Sequence, residues 1–174
     1  DEHTSRGLGD VYKRQVKEYA QSVSLPVYQP SNFKDQEVLD QIKSHGADLC
    51  VMAYVIIFVP EGARDIPTHG SICFHPSLLP LHRGPSSINW PIIGGSTKTG
   101  LSIFYPNDGL DEGEILLQKE VDIGPDDTLG DVYFKKIFPL GLDACVEAAN
   151  LIESGNAPKT CLLYTSDAAD EITG

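Results

Sequence analysis

The sequence predicts an α/β fold built on a mostly parallel sheet, and three observations carry that reading. Strand-length apolar runs alternate with segments of helical period along most of the 174 residues. The run from Asp48 to Phe58 is almost continuously apolar, the pattern of a parallel strand covered on both faces. Gly100–Tyr105 and Glu114–Val121 are joined only by a tight turn, so these two strands should be antiparallel neighbours. One antiparallel excursion on a parallel sheet, with helices on both faces, is the expected architecture.

Taken in order, the elements are expected as follows. Residues 1–15 and 161–174 carry no stripe that matches a core, and they read as non-native flanking sequence around a domain of residues 16–160. Val16–Ser24 is a helix or loop, and Pro26-Val27-Tyr28-Gln29 a short strand. Asp35–His45 is an amphipathic helix with Val38, Leu39 and Ile42 on one stripe and Gly46 as its stop. After the apolar run, Glu61–Asp65 forms one helical turn before Pro67. Ser71-Ile72-Cys73-Phe74 is a short buried strand, left at His75 because Pro76 has no backbone donor to continue a ladder. Pro85–Ile93 is helical, shortened or kinked by Pro91 and ended by Gly94-Gly95. Thr128 caps a long helical segment that reaches about Glu153 and stops at Gly155. Pro139 and Gly141 predict a kink or break at 138–142.

Composition narrows the function classes. Hydrophobic residues make up 41% and charged residues 22%, ordinary for a globular protein in water. No run of 18 apolar residues and no secretory signal occur, so a cytoplasmic location and no membrane partner are expected. The formal net charge of −12 argues against direct nucleic-acid binding, which needs clustered Lys and Arg against phosphates. Cysteines 50, 73, 145 and 161 have no C-x-x-C spacing, so reduced thiols are expected and no disulfide framework. His, Cys and Asp do not recur at ligand spacings, so no metal site is expected.

The stretch S-I-C-F-H-P-S-L-L-P-L-H-R-G-P-S-S-I-N-W, Ser71 to Trp90, concentrates the candidate chemistry. His75 stands at the carboxyl end of a strand, where α/β sheets bind ligands. Taken alone it reads equally as a strand cap with an ordinary backbone hydrogen bond. Strand alternation puts Cys73 on the same face. Asp111, in G-L-D-E-G, is either a plain turn aspartate or the carboxylate that orients His75; Gly109 and Gly113 let that turn fold tightly. Arg83 is placed to meet an anion or to hold Asp108 or Asp111, and His82 reads as a loop surface residue.

H-P-S-L-L-P-x-x-R-G, with G-L-D-E-G-E-I-L-L-Q beginning 34 residues after His75, resembles the folate-dependent formyltransferases. That family includes methionyl-tRNA formyltransferase and the hydrolase domain of 10-formyltetrahydrofolate dehydrogenase. The similarity covers roughly residues 23–160. It implies a Rossmann-like formyltransferase fold whose first strand-helix-strand unit is missing here. It also implies that His75 and Asp111 are catalytic and that 10-formyltetrahydrofolate is the formyl donor, without a metal. Ile57, Phe58 and Val59 would then hold the flat ring, and Ser77, Leu78, Leu79 and Pro80 would line its approach. Cys73 stands where such enzymes usually carry an Asn that stabilises the oxyanion, and a thiol is a weak donor. The dehydrogenase's hydrolase domain also lacks that Asn, which together with I-N-W at 88–90 leans the resemblance that way. The acceptor is an amine, as in aminoacyl-tRNA, or water. Two other readings stand beside these: a catalytically silent folate-binding fragment, and a hydrolase built on Cys73, His75 and Asp111.

Overall fold

The computed structural model describes residues 16–55 and 57–162. The chain divides into two compact units, Asp1–Asn32 and Phe33–Gly174. In the first, residues 16–22 are helical, and the Lys17 ammonium donates to Gln29 Oε1 at 2.9 Å. The strand expected at Pro26–Gln29 is absent. A strand needs a partner, and among the described residues of this unit there is no second extended run to supply a ladder.

The second unit holds a four-stranded sheet in the order β1-β2-β3-β4, formed by Cys50–Met52, Ser71–His75, Lys98–Phe104 and Ile115–Asp122. Only β1 and β2 are parallel; β2–β3 and β3–β4 are antiparallel. The sheet among the described residues is therefore mixed, and the expectation of a mostly parallel one is corrected. The long strand expected at Asp48–Phe58 is also corrected, to three residues. Tyr54 adopts φ +57°, in the left-handed region, which an extended strand does not tolerate. Beyond it the apolar run continues without a ladder, and Val55, Ile57 and Phe58 are exposed.

Among the described residues of this unit there are five α-helices: α1 Gln36–Ser44, α2 Glu61–Arg64, α3 Asn89–Ile93, α4 Leu129–Val132 and α5 Phe138–Glu153. α1 ends as expected, with Gly46 at φ +58°. A full capping box opens α4: Asp131 N–H donates to the Thr128 hydroxyl, and Thr128 N–H donates to the Asp131 carboxylate. Between α4 and α5 lies a π-helical turn, Tyr133–Ile137. Pro139 has no N–H to return to the preceding turn, so the ladder widens just before it and α5 starts afresh. The irregularity thus falls on 133–137 rather than on 138–142.

The two faces of the sheet have separate tasks. Ile72, Leu101 and Ile103, fully buried, point to one face and meet Val132, Ile137, Ala144 and Ala148. Each such burial contributes about 1.5–3 kcal/mol. Gly141 lets α5 approach so closely that a Cβ there would lie 2.7 Å from the Phe74 ring. The opposite face carries Cys73, His75, Ser102, Phe104 and Gln118, aligned by the ladder registers. Leu79, Phe104 and Ile115 form a second small core there, with Leu162 against it, and Thr160 bridges to Ile115.

Candidate active site

His75 is the last residue of β2 and is 7% exposed. Its Nε2 donates to the backbone carbonyl of His82 at 2.9 Å. A carbonyl only accepts, so the ring proton sits on Nε2 and Nδ1 is left with a lone pair in the neutral ring. Nδ1 faces Asp111 Oδ2 at 3.5 Å. The two motifs, far apart in sequence, do meet, and the backbone hydrogen bond of the simpler reading is present as well.

Asp111 is held from the other side by Gly84 N–H, which donates to the same Oδ2 at 2.8 Å. Its φ of +49° is unusual for a residue with a side chain, as are +54° at His82 and +62° at Ser86. Such strain collects where surrounding structure over-determines a geometry. Gly113 supplies the close approach the turn requires: a Cβ there would stand 1.6 Å from the Tyr105 carbonyl oxygen.

The Ser77–Pro80 loop is fixed by a buried polar network. Ser102 Oγ donates to Ser77 O at 2.7 Å and accepts from Leu79 N–H at 3.0 Å. Gln118 Nε2 donates to Leu79 O and to Ser102 Oγ, both at 2.8 Å. Ser77 Oγ donates to Leu81 O at 2.7 Å. Ser77 and Leu79 are consequently buried, their polar groups directed inward, while Pro80 is exposed.

Cys73 lies near His75 on the same face. Burial first, then the nearby Asp111 carboxylate, push its thiol from 9.0 up to about 12. It stays protonated at neutral pH, which weighs against a nucleophile. Ile57 and Phe58 are 44% and 59% exposed, so they offer open apolar surface rather than an enclosed slot. Surface concavities of about 600 and 430 Å³ are lined by residues such as Val146 and Asn150, and by Ser71, Tyr105 and Lys159. His75 and Asp111 line neither. Among the described residues no group of His, Cys, Asp and Glu could hold a metal ion.

Arg83 approaches Glu112 at 3.8 Å rather than Asp108 or Asp111. Asp108 is held instead by Arg64, at 2.9 Å. Arg64, Ser102, Gln118 and the Gly84 amide escape a reading of the sequence alone. Ser102 did leave a trace, a polar residue inside the apolar strand G-L-S-I-F. Arg64 in G-A-R-D reads only as the charged end of a short helix.

This arrangement, a buried imidazole at a strand end and the carboxylate of a strained turn meeting on one sheet face, suits proton transfer at a carbonyl centre. Comparison with known proteins gives the class. The family model described as formyl transferase matches residues 4–139, and the chain belongs to that family. It is 49% identical over 125 residues to the mitochondrial 10-formyltetrahydrofolate dehydrogenase of Mus musculus, covering 72% of this chain and 14% of that protein. It is 40% identical over 144 residues to the methionyl-tRNA formyltransferase of Clostridioides difficile, covering 83% of this chain and 46% of that one. A solved glycinamide ribonucleotide transformylase from Symbiobacterium toebii shares the fold, with TM-score 0.70, 23% identity and coverage of 79% of this chain and 68% of that chain. The chain thus spans less than half the length of either sequence relative.

Proposed function

We propose that this chain is a catalytic domain that takes a formyl group from 10-formyltetrahydrofolate and passes it to an amine or to water. The observation that carries the reading is the 3.5 Å approach of His75 Nδ1 to Asp111 Oδ2 within a formyl transferase fold. Both named relatives fit a formyl donor and an acceptor outside this segment.

Formyl transfer needs a proton to leave the attacking amine or water, and a proton to reach the departing nitrogen. His75 Nδ1 serves both. With Nε2 committed to the His82 carbonyl, Nδ1 accepts the proton as the attacking atom bonds to the formyl carbon. The imidazolium that results lies between the His82 carbonyl and the Asp111 carboxylate, both of which stabilise its charge. The same proton then passes to the departing nitrogen as the tetrahedral carbon collapses, leaving His75 neutral for the next cycle. Asp111, pinned by Gly84, holds the ring once Nδ1 carries the proton and balances its charge. Cys73 contributes no strong donor to the oxyanion, so the imidazolium carries that load. Ile57, Phe58 and Val59 supply apolar surface for the flat ring, and the Ser77–Pro80 loop lines its approach. No metal takes part, and the partner is a small folate in a reducing cytoplasm.

Kinetics on a longer protein that includes this domain test the reading. His75→Ala and Asp111→Ala should each lower kcat by about 10²- to 10⁴-fold with little change in folate affinity. Activity of His75→Ala within about threefold of the parent would remove the mechanism, because a general acid-base group costs far more. Folate binding with no turnover in the parent would favour the silent-fragment reading instead.

A further inference from the structure

We propose that Arg64 is a positioning residue that sets the spacing between the proposed apolar folate-ring surface at 57–59 and the turn that presents Asp111, an inference that rests on the folate reading above. The segments are residues 57–59, the proposed apolar surface for the flat ring, and the turn at 108–113, which presents Asp111. Neither belongs to a strand or helix, so no ladder holds them. Arg64 spans both. Its Nη1 donates to Val59 O at 2.9 Å, and its Nη2 donates to Asp108 Oδ1 at 2.9 Å. Its own carbonyl is anchored in turn by the Ser71 hydroxyl at 2.7 Å, at the start of β2. The guanidinium thus ties the two irregular segments to each other, and the backbone carbonyl of the same residue ties them to the strand that carries His75.

The burial of Arg64 argues for this role over a plain structural one. The residue is 6% exposed, whereas the Asp108 side chain is 73% exposed, so only one member of the pair is desolvated. Arg64 Nε is buried and has no hydrogen-bond partner. A buried cation with an unused donor is a poor way to stabilise a fold, and an apolar side chain of similar length often does as well or better. What an apolar side chain cannot do is hold two acceptors a fixed distance apart. Lysine cannot either, since its ammonium is a point charge without a fork.

Asp108 lies three residues before Asp111, in the same turn. Fixing Asp108 therefore limits how far the turn that presents Asp111 to His75 can drift. Arg64 touches no reacting atom; its effect passes through the segments it holds.

Two variants of the 174-residue chain test this: Arg64→Met, which removes both arms, and Asp108→Ala, which removes one arm at an exposed position. Two readouts are taken on each, the dissociation constant for 5-formyltetrahydrofolate and backbone amide exchange at 57–59 and 108–113 without ligand. Arg64→Met should unfold at a urea midpoint close to the parent's, and Asp108→Ala, which leaves the buried guanidinium without its carboxylate, at a lower midpoint but still folded. Exchange in the two segments should quicken, and folate binding should weaken about tenfold, the loss that goes with one charge-assisted hydrogen bond. Unchanged exchange in Asp108→Ala, or folate binding within twofold of the parent in a folded variant, would overturn the proposal. A parent chain that binds no folate would defeat the folate reading, and the ligand-free exchange would still show whether Arg64 ties the segments. If Arg64→Met does not fold, Asp108→Ala decides alone.

Discussion

A proton held where it resists leaving has consequences at Cys73. The folded chain keeps the thiol protonated up to about 12, against an ordinary 9.0. An unfolded chain gives up that proton near 9.0, so between those values the folded state binds more protons and stability must fall as pH rises. Below 9.0 the two states bind equally and the group has no effect. Cys73→Ala should therefore flatten the alkaline side of the stability profile, measured as urea midpoints at pH 8 and pH 10. Equal slopes for parent and variant would contradict the burial argument. Ser102 is the matching case for a neutral group. Its hydroxyl serves Ser77 O, Leu79 N–H and the Gln118 amide at once, and it is fully buried. Ser102→Ala strands these partners and should cost about 1–3 kcal/mol. Because Ser77 and Leu79 belong to the loop proposed to line the approach of the folate ring, chemical denaturation and folate titration should both register the change. A stability loss without a binding loss would separate the loop from the site.

At the scale of the element, the helical region after Thr128 shows what sequence pattern can and cannot place. Thr128 as cap and Pro139 as interrupter follow from local chemistry, and both were legible. The π turn at 133–137 was not, since how a helix absorbs a missing donor depends on what its faces must meet. Gly141 shows the same dependence. In an isolated helix Gly→Ala gains about 1 kcal/mol. Here a Cβ would come within 2.7 and 3.3 Å of the Phe74 ring, which itself stacks on Tyr54 at 6.4 Å between centroids. Gly141→Ala should therefore destabilise the chain despite the better propensity, and Phe74→Leu in the same chain should recover part of the loss. Thermal midpoints for the two single variants and the double variant measure the coupling. Additive effects would mean that α5 shifts to make room without engaging Phe74.

For the whole molecule, the class and one pairing direction were readable, and the rest of the pairing was not. The α/β class follows from alternating periods, and the His75–Asp111 pair from two linear motifs. The tight turn after Gly100–Tyr105 records its antiparallel pairing with β4, which the ladder bears out, but nothing in that run records that its other neighbour is β2 or that those two are antiparallel. Arg64 was invisible for the same reason: its partner Asp108 lies 44 residues away. Charge, by contrast, is a whole-molecule property that the sequence gives outright, and it separates the two kinds of partner this family suggests. With a formal net charge of −12, the chain meets a polyanion with repulsion at long range. A small folate ring is recognised by apolar surface and backbone groups, which that charge scarcely affects. A tetrahydrofolate present at about 100 times its dissociation constant should then stabilise the chain by about 2.7 kcal/mol, seen as a rise in thermal midpoint. Transfer RNA at low salt should give no rise, and should show none of the salt-sensitive binding in the range of about 10⁻⁴–10⁻⁶ M typical of proteins that neutralise phosphates. Affinity for tRNA that weakens as salt is raised would show that a basic patch on this chain outweighs the net charge, and the amine acceptor would then be gripped here rather than by a further part of a longer protein.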